Sequence, residues 1–135
     1  MYNTIIVPTD FSDDQLTIES LIKAKQLSSN NRIVMLHVLD QIPSYALAEI
    51  PSDLIKDITP KTYEKMKKMS DRAGIEVKIE VRNGSAYRKI IHSAEENKAG
   101  LILINSHQPG LQDYLLGSTA SKVVRHAKCA VLVQR

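Results

Sequence analysis

Short apolar runs alternate with amphipathic stretches of helical length along the whole chain, and this alternation limits the possible folds more than any other feature. The apolar runs are Thr4 to Val7, Ile33 to Leu39, the alternating Val77, Ile79 and Val81, then Leu101 to Ile104, and Ala130 to Val133. Each has the length and the β-branched content of a strand. Ile18, Leu21, Ile22 and Leu27 mark a first helix, closed by Ser28-Ser29-Asn30-Asn31, with Lys23 and Lys25 turned outward. Residues 41–60 are divided by Pro43, Pro51 and Pro60, with Tyr45 to Ile50 as one or two helical turns. A second helix is expected from Thr59 or Pro60, a good first-turn residue, to Ala73, with Tyr63, Met66 and Met69 facing the core and Gly74 ending it. Ser85 caps a third, Ala86 to Asn97, carrying Ile90, Ile91 and Ala94. The last spans Ser118 to Ala127, with Ala120, Val123, Val124 and Ala127 on one face. Strands that alternate with helices imply a parallel sheet covered by helices on both faces. The chain's 135 residues suit one domain, 1–135.

Chemistry concentrates between Leu101 and Thr119. A buried strand runs into the polar turn Asn105-Ser106-His107-Gln108-Pro109-Gly110, and Gly117-Ser118-Thr119 opens the last helix. The first N–H groups of a helix have no internal partner and lie at the positive end of its dipole, so a phosphate can sit there. Gly117 would admit the ligand close to the backbone, while Ser118 and Thr119 add hydroxyl donors. A plain capping turn is the simpler reading of the same three residues. In a doubly wound sheet the ligand lies beyond the carboxyl ends of the strands, where strand order reverses. If the first and fourth strands are neighbours, Pro8-Thr9-Asp10 faces Asn105 and its followers across that crevice.

A net charge of +3 and 4% aromatic residues argue against a nucleic-acid partner. Cys129 is the only cysteine, which excludes an intrachain disulfide and a cysteine metal cluster, and it reads as a small apolar residue at a strand start. His37, His92 and His126 lack ligand-like spacing, so no metal site is expected. No apolar run approaches membrane-spanning length, so no membrane partner is expected. MYNTIIVPTD reads as a strand without a basic segment ahead of an apolar run, so the expected compartment is the cytoplasm.

Several segments together resemble the universal stress protein family over the whole chain. They are Ile5-Ile6-Val7-Pro8-Thr9-Asp10-Phe11-Ser12, Leu36-His37-Val38, Gly84-Ser85, Ile104-Asn105-Ser106-His107 through Leu115-Leu116-Gly117-Ser118, Val123-Val124-Arg125-His126-Ala127 and Val131-Leu132-Val133. The resemblance implies a Rossmann-like open sheet of five strands in the order 3-2-1-4-5, a dimer, and an adenine nucleotide at the fourth strand's loop; in that order the apolar Ala130 to Val133 is a sheet edge, so a homodimer through this strand is expected. ATP is the implied form, with AMP and ADP as alternatives and Mg²⁺ held through the phosphates. Pro8, Thr9 and Asp10 match the segment that contacts adenine and ribose, and Val38 a position that packs on adenine. Asn105, Ser106, His107 and Gln108 match the loop around ribose and phosphates, and Gly117, Ser118 and Thr119 the phosphate turn. The family's nucleotide-binding branch carries G-x-x-G-x9-G-S/T. Here Asn105 and Gln108 stand at the two glycine positions, and eight residues separate Gln108 from Gly117. The short loop with SHxP and YLLGS is similar to a smaller subgroup that includes ATP binders.

The expected function is therefore a nucleotide-binding stress-response or signalling protein that acts through its bound state. The alternatives are a nucleotide-free dimeric interaction module and a slow ATPase. No Lys or Arg occurs between Asn105 and Leu116, where a P-loop would place a lysine, so no catalytic residue is assigned.

Overall fold

The computed structural model describes residues 2–39, 52–106 and 117–135, with side chains from residue 60 onward in the helix that begins at Ser52. Five strands, β1 (Tyr2–Pro8), β2 (Ser28–Leu39), β3 (Lys78–Asn83), β4 (Leu101–Asn105) and β5 (Ala130–Gln134), form one sheet in the order β3-β2-β1-β4-β5. Every adjacent pair is parallel. Helices α1 (Asp14–Leu27), α2 (Ser52–Ala73), α3 (Ala86–Glu96) and α4 (Ser118–His126) connect them.

Period-2 alternation in the central strands feeds two cores. Ile5, Val7, Ile33, Met35, Leu101 and Leu103 face Ile18, Leu21 and Ala24 of α1 and Met66 and Met69 of α2. Ile6, Val34, Leu36, Ile102 and Ile104 face Ile90 and Ala94 of α3 and Ala120 and Val123 of α4. Strands β1 and β4 therefore read as unbroken apolar runs, because both of their faces are covered.

Several expectations change at the elements' ends. The helix expected to begin at Thr59 or Pro60 starts at Ser52, and Pro60 lies inside it. Ser52 and Asp53 are polar and acidic residue types, which suit the positive end of a helix. Tyr63 is half exposed, at 51%. The buried stripe of α2 is Met66, Met69 and Ser70, and the position one turn before Met66 on that stripe is Thr62 rather than Tyr63. Ile22 of α1 and Val124 of α4 are exposed too, each lying at the flank of its helix's apolar face. Ser28 caps α1 and begins β2 at once, so the polar Ser28 to Asn31 is strand rather than terminator. A register shift between Tyr2↔Ser28 and Thr4↔Arg32 takes up the extra residues, with Asn31 at φ 58°. The expected turns over Tyr45 to Ile50 lie outside the described residues.

Candidate functional site at the β1/β4 switch point

In a parallel βα unit each helix starts where its strand ends, so the helix N-termini gather at the carboxyl edge of the sheet. From β1 the chain proceeds to β2 on one side, while β4 lies on the other, so strand order reverses between β1 and β4. A cleft of about 260 Å³ opens there. Its apolar walls are Pro8, Leu36, Val38, Ile90 and Ile104. Thr9, Asp10, Asn105, Ser106, Gly117 and Thr119 line it as well. Eight residues singled out from the sequence thus meet in one place: Pro8, Thr9, Asp10, Val38, Asn105, Ser106, Gly117 and Thr119. Ser118 is exposed at the start of α4 and is not part of the wall. His107 and Gln108 lie outside the described residues.

Local hydrogen bonds explain why these side chains stay in place. Thr9 is buried and internally satisfied: its N–H donates to the Leu36 carbonyl at 2.8 Å, and its Oγ1 accepts from the Phe11 N–H at 3.2 Å and lies 3.3 Å from Thr17 Oγ1. Its carbonyl is 2.7 Å from His37 Nδ1, so His37 ties the end of β1 to β2. Thr9 is thereby a brace, leaving Asp10 as the exposed polar group of this segment. Asp10 Oδ1 accepts from the Ser12 N–H at 2.9 Å, an Asx turn that fixes the carboxylate beside the cleft. Asn105 Oδ1 is 2.7 Å from Ser20 Oγ, which also lies 2.9 Å from the Leu16 carbonyl, so α1 holds the end of β4. Ser106 donates its N–H to the Gln134 carbonyl at 2.9 Å, and its Oγ accepts from the Gly117 N–H at 3.2 Å.

Gly117, not Ser118, is the N-cap of α4, at φ −64° and ψ 159°. That backbone is open to any residue, so glycine is not required here for its left-handed freedom. With the Gly117 N–H engaged by Ser106, the amides available to an anion are those of the following turn.

The helix termini around the cleft differ. Asp13 caps α1 through Oδ1, 3.0 Å from the Leu16 N–H, and Asp14 adds a second acid to its first turn. The caps of α3 and α4 make no side-chain hydrogen bond, and neither helix has an acid in its first turn. The cleft therefore has an acidic end at α1 and an electropositive end at α3 and α4. Sequence reasoning missed the α1 contribution, Ser12, Asp13, Leu16 and Thr17, and the α3 contribution, Ala86 and Ile90. The capping signal of Asp13 was visible in the sequence, but only the packing of α1 and α3 beside the strand ends places them in the wall. Among the described residues no group of three or more His, Cys, Asp or Glu is arranged to hold a metal ion, and no helix is long and apolar enough to cross a membrane.

An open parallel sheet of this order, with a cleft at its switch point and helix N-termini converging on it, defines a doubly wound α/β architecture, in which ligands bind outside the carboxyl ends of the strands. A model of the universal stress protein family matches residues 1–135, and the chain belongs to that family. It is 32% identical to universal stress protein MJ0531 of Methanocaldococcus jannaschii, over 98% of this chain and 82% of that one. It is 32% identical to universal stress protein G of Escherichia coli O157:H7, with both chains fully covered. Among solved structures, that of MJ0577 superposes with a TM-score of 0.78 at 28% identity, covering 98% of this chain and 95% of that one.

Proposed function

We propose that this chain is a single-domain, cytoplasmic universal stress protein that binds an adenine nucleotide in the β1/β4 cleft and acts, as a homodimer, through its bound state in stress response. The observation that carries this reading is the convergence of Pro8, Thr9, Asp10, Val38, Asn105, Ser106, Gly117 and Thr119 on one cleft from four separate parts of the chain. ATP is the expected form, ADP and AMP the alternatives.

The asymmetry of the cleft supports an orientation. Val38 and Leu36 offer an apolar face to a base, and Asp10 offers a carboxylate to ribose hydroxyls or an exocyclic amine. The phosphates belong at the opposite end, where the α3 and α4 termini carry no acid and no side-chain cap. Asp10 and Asp13 are the only charged residues lining the cleft among those described, so Mg²⁺ carried on the phosphates would offset charge that the walls do not neutralise. Universal stress proteins of the same fold have been solved in complex with cAMP and, from Archaeoglobus fulgidus, with dAMP. At 22% and 17% identity they attest the fold, and the reading for this chain rests on its own cleft.

Phosphoryl transfer needs positioned positive charge around the transferring group, and no Lys or Arg lines the described cleft wall. The expected behaviour is binding, with turnover well below the roughly 1–100 s⁻¹ of kinases. A second reading, a nucleotide-free interaction module, draws on Asn105: it stands at a family glycine position, and Ser20 already engages its side chain. Mass spectrometry of small molecules released from purified, denatured protein tests both. A stoichiometric adenine nucleotide supports the first. Its absence, together with no binding on titration with ATP, ADP or AMP, supports the second. Gly117→Val should abolish binding while unfolding stays cooperative, because its backbone angles suit valine and its site lines the cleft.

A further inference from the structure

Phe11 follows Asp10 directly, and its backbone sits at φ 63°, in the left-handed region that a bulky side chain rarely enters. Such a conformation persists where the surrounding structure over-determines it. Three contacts do so here, from separate parts of the chain. The Phe11 ring is centred 4.4 Å from the ring of His37, carried on β2, with 33° between the planes. Lys65 of α2 sets its ammonium 4.4 Å from the centroid of the same ring. The Phe11 N–H donates to Thr9 Oγ1 at 3.2 Å. His37 is itself fixed, with Nδ1 2.7 Å from the Thr9 carbonyl.

This turn divides its side chains between two sides. Asp10, Ser12 and Asp13 line the cleft. Phe11 does not; it packs instead against the core shared by the sheet, α1 and α2. A single left-handed residue between Asp10 and Ser12 bends the chain back, so that the Ser12 N–H meets Asp10 Oδ1 at 2.9 Å. The Asp10 carboxylate is exposed, and this bond holds it. Its direction is therefore inherited from the backbone of Phe11. Were Phe11 to relax to a right-handed angle, the Ser12 N–H would swing away and the carboxylate would be released.

We infer that Phe11, stacked on His37, is the positioning residue for Asp10 and holds its carboxylate toward the adenosine end of the cleft. Phe11 acts through Asp10 and not by touching the ligand. The inference rests on the nucleotide-binding reading above and adds what organises its base and ribose end.

The test is a double-mutant cycle of Phe11→Ala and Asp10→Ala, read by isothermal titration with ATP. Phe11→Ala should weaken binding roughly three- to tenfold, no more than Asp10→Ala does, and should weaken it no further once Asp10 is alanine. A residue that merely supports the fold would cost the same in both backgrounds. That result overturns the inference, and so does an unchanged affinity in Phe11→Ala. Phe11→Gly separates the ring from the backbone angle, because glycine adopts φ 63° freely but offers nothing to stack on His37. It should lose affinity as alanine does, and a wild-type affinity overturns the role of the ring. Thermal unfolding checks each variant. If Phe11→Ala does not fold, His37→Ala removes the stack from its other side and enters the same cycle with the same expectations. Failure of ATP, ADP and AMP alike to bind the wild type overturns the nucleotide reading together with the inference, whereas each of the other adverse results leaves nucleotide binding standing.

Discussion

Asp10 and Glu80 show how differently two carboxylates of one small protein are employed. Asp10 is exposed, held only by its own turn, and lines the cleft. Asp10→Ala should weaken nucleotide binding by about 1.5–3 kcal/mol, a factor of roughly ten or more, with little change in stability. Asp10→Asn keeps the turn's acceptor and should lose less. Isothermal titration with paired denaturant curves separates the two effects, and an unchanged affinity in Asp10→Ala removes this residue from the site. Glu80, 12% exposed, is built into the joint between β3 and α3. Burial opposes its charge. Hydrogen bonds from Asn97, Ser93, Arg82 and Lys78 more than compensate and lower its pKa to about 2. A depressed carboxylate stabilises the fold above its unfolded value near 4.5, and the contribution disappears as pH falls from there toward 2. It amounts to about 3 kcal/mol at neutral pH. Glu80→Gln should therefore be destabilised at pH 7 and converge on the wild type near pH 2. Parallel urea curves across this range check it, and a difference independent of pH would assign the loss to packing alone.

At the scale of elements, Pro60 is the clearest conflict between local preference and structure. It reads as a helix start, yet α2 continues for eight residues before it, from Ser52 to Thr59. A proline inside a helix lacks the N–H for the bond to the carbonyl four residues back and crowds that carbonyl, at about 3 kcal/mol. Pro60→Ala, at an exposed position, should raise stability by up to that amount. A denaturant midpoint that does not rise would mean the first turns of α2 contribute nothing to the folded state. Helix α4 carries a different lesson. Its apolar residues Ala120, Val123, Val124 and Ala127 were legible as one face, but Val124 is 46% exposed. Helical spacing assigns a face only to within the width of a stripe, and packing against the sheet decides which flank is covered.

For the whole molecule, the strand order leaves β5 at an edge, with Leu132 of that strand 37% exposed. An apolar edge strand invites a second chain, and a two-fold dimer is the commonest closed arrangement. We expect a dimer by light scattering at micromolar concentration, and a monomer for Leu132→Lys, whose charge would be buried against its copy. A wild-type monomer at that concentration rejects this interface.

Strand and helix identity, the two-sided burial of Leu101 to Ile104, and the polar turns after the first and fourth strands were determined by the sequence itself. Periodicity and turn chemistry are local properties that survive without any partner. The strand order, and hence the meeting of Asp10 with Asn105 and Thr119, entered only as an implication of family resemblance. Hydrogen bonding between parallel strands leaves no trace in either strand's own pattern. The tertiary structure alone decided the brace at Thr9, the hold of Ser20 on Asn105, and the stacking of Phe11 on His37. Each joins residues whose separation along the chain says nothing of their distance in space, and that distance is set by how α1 packs and how β1 and β2 pair in a sheet no single segment encodes.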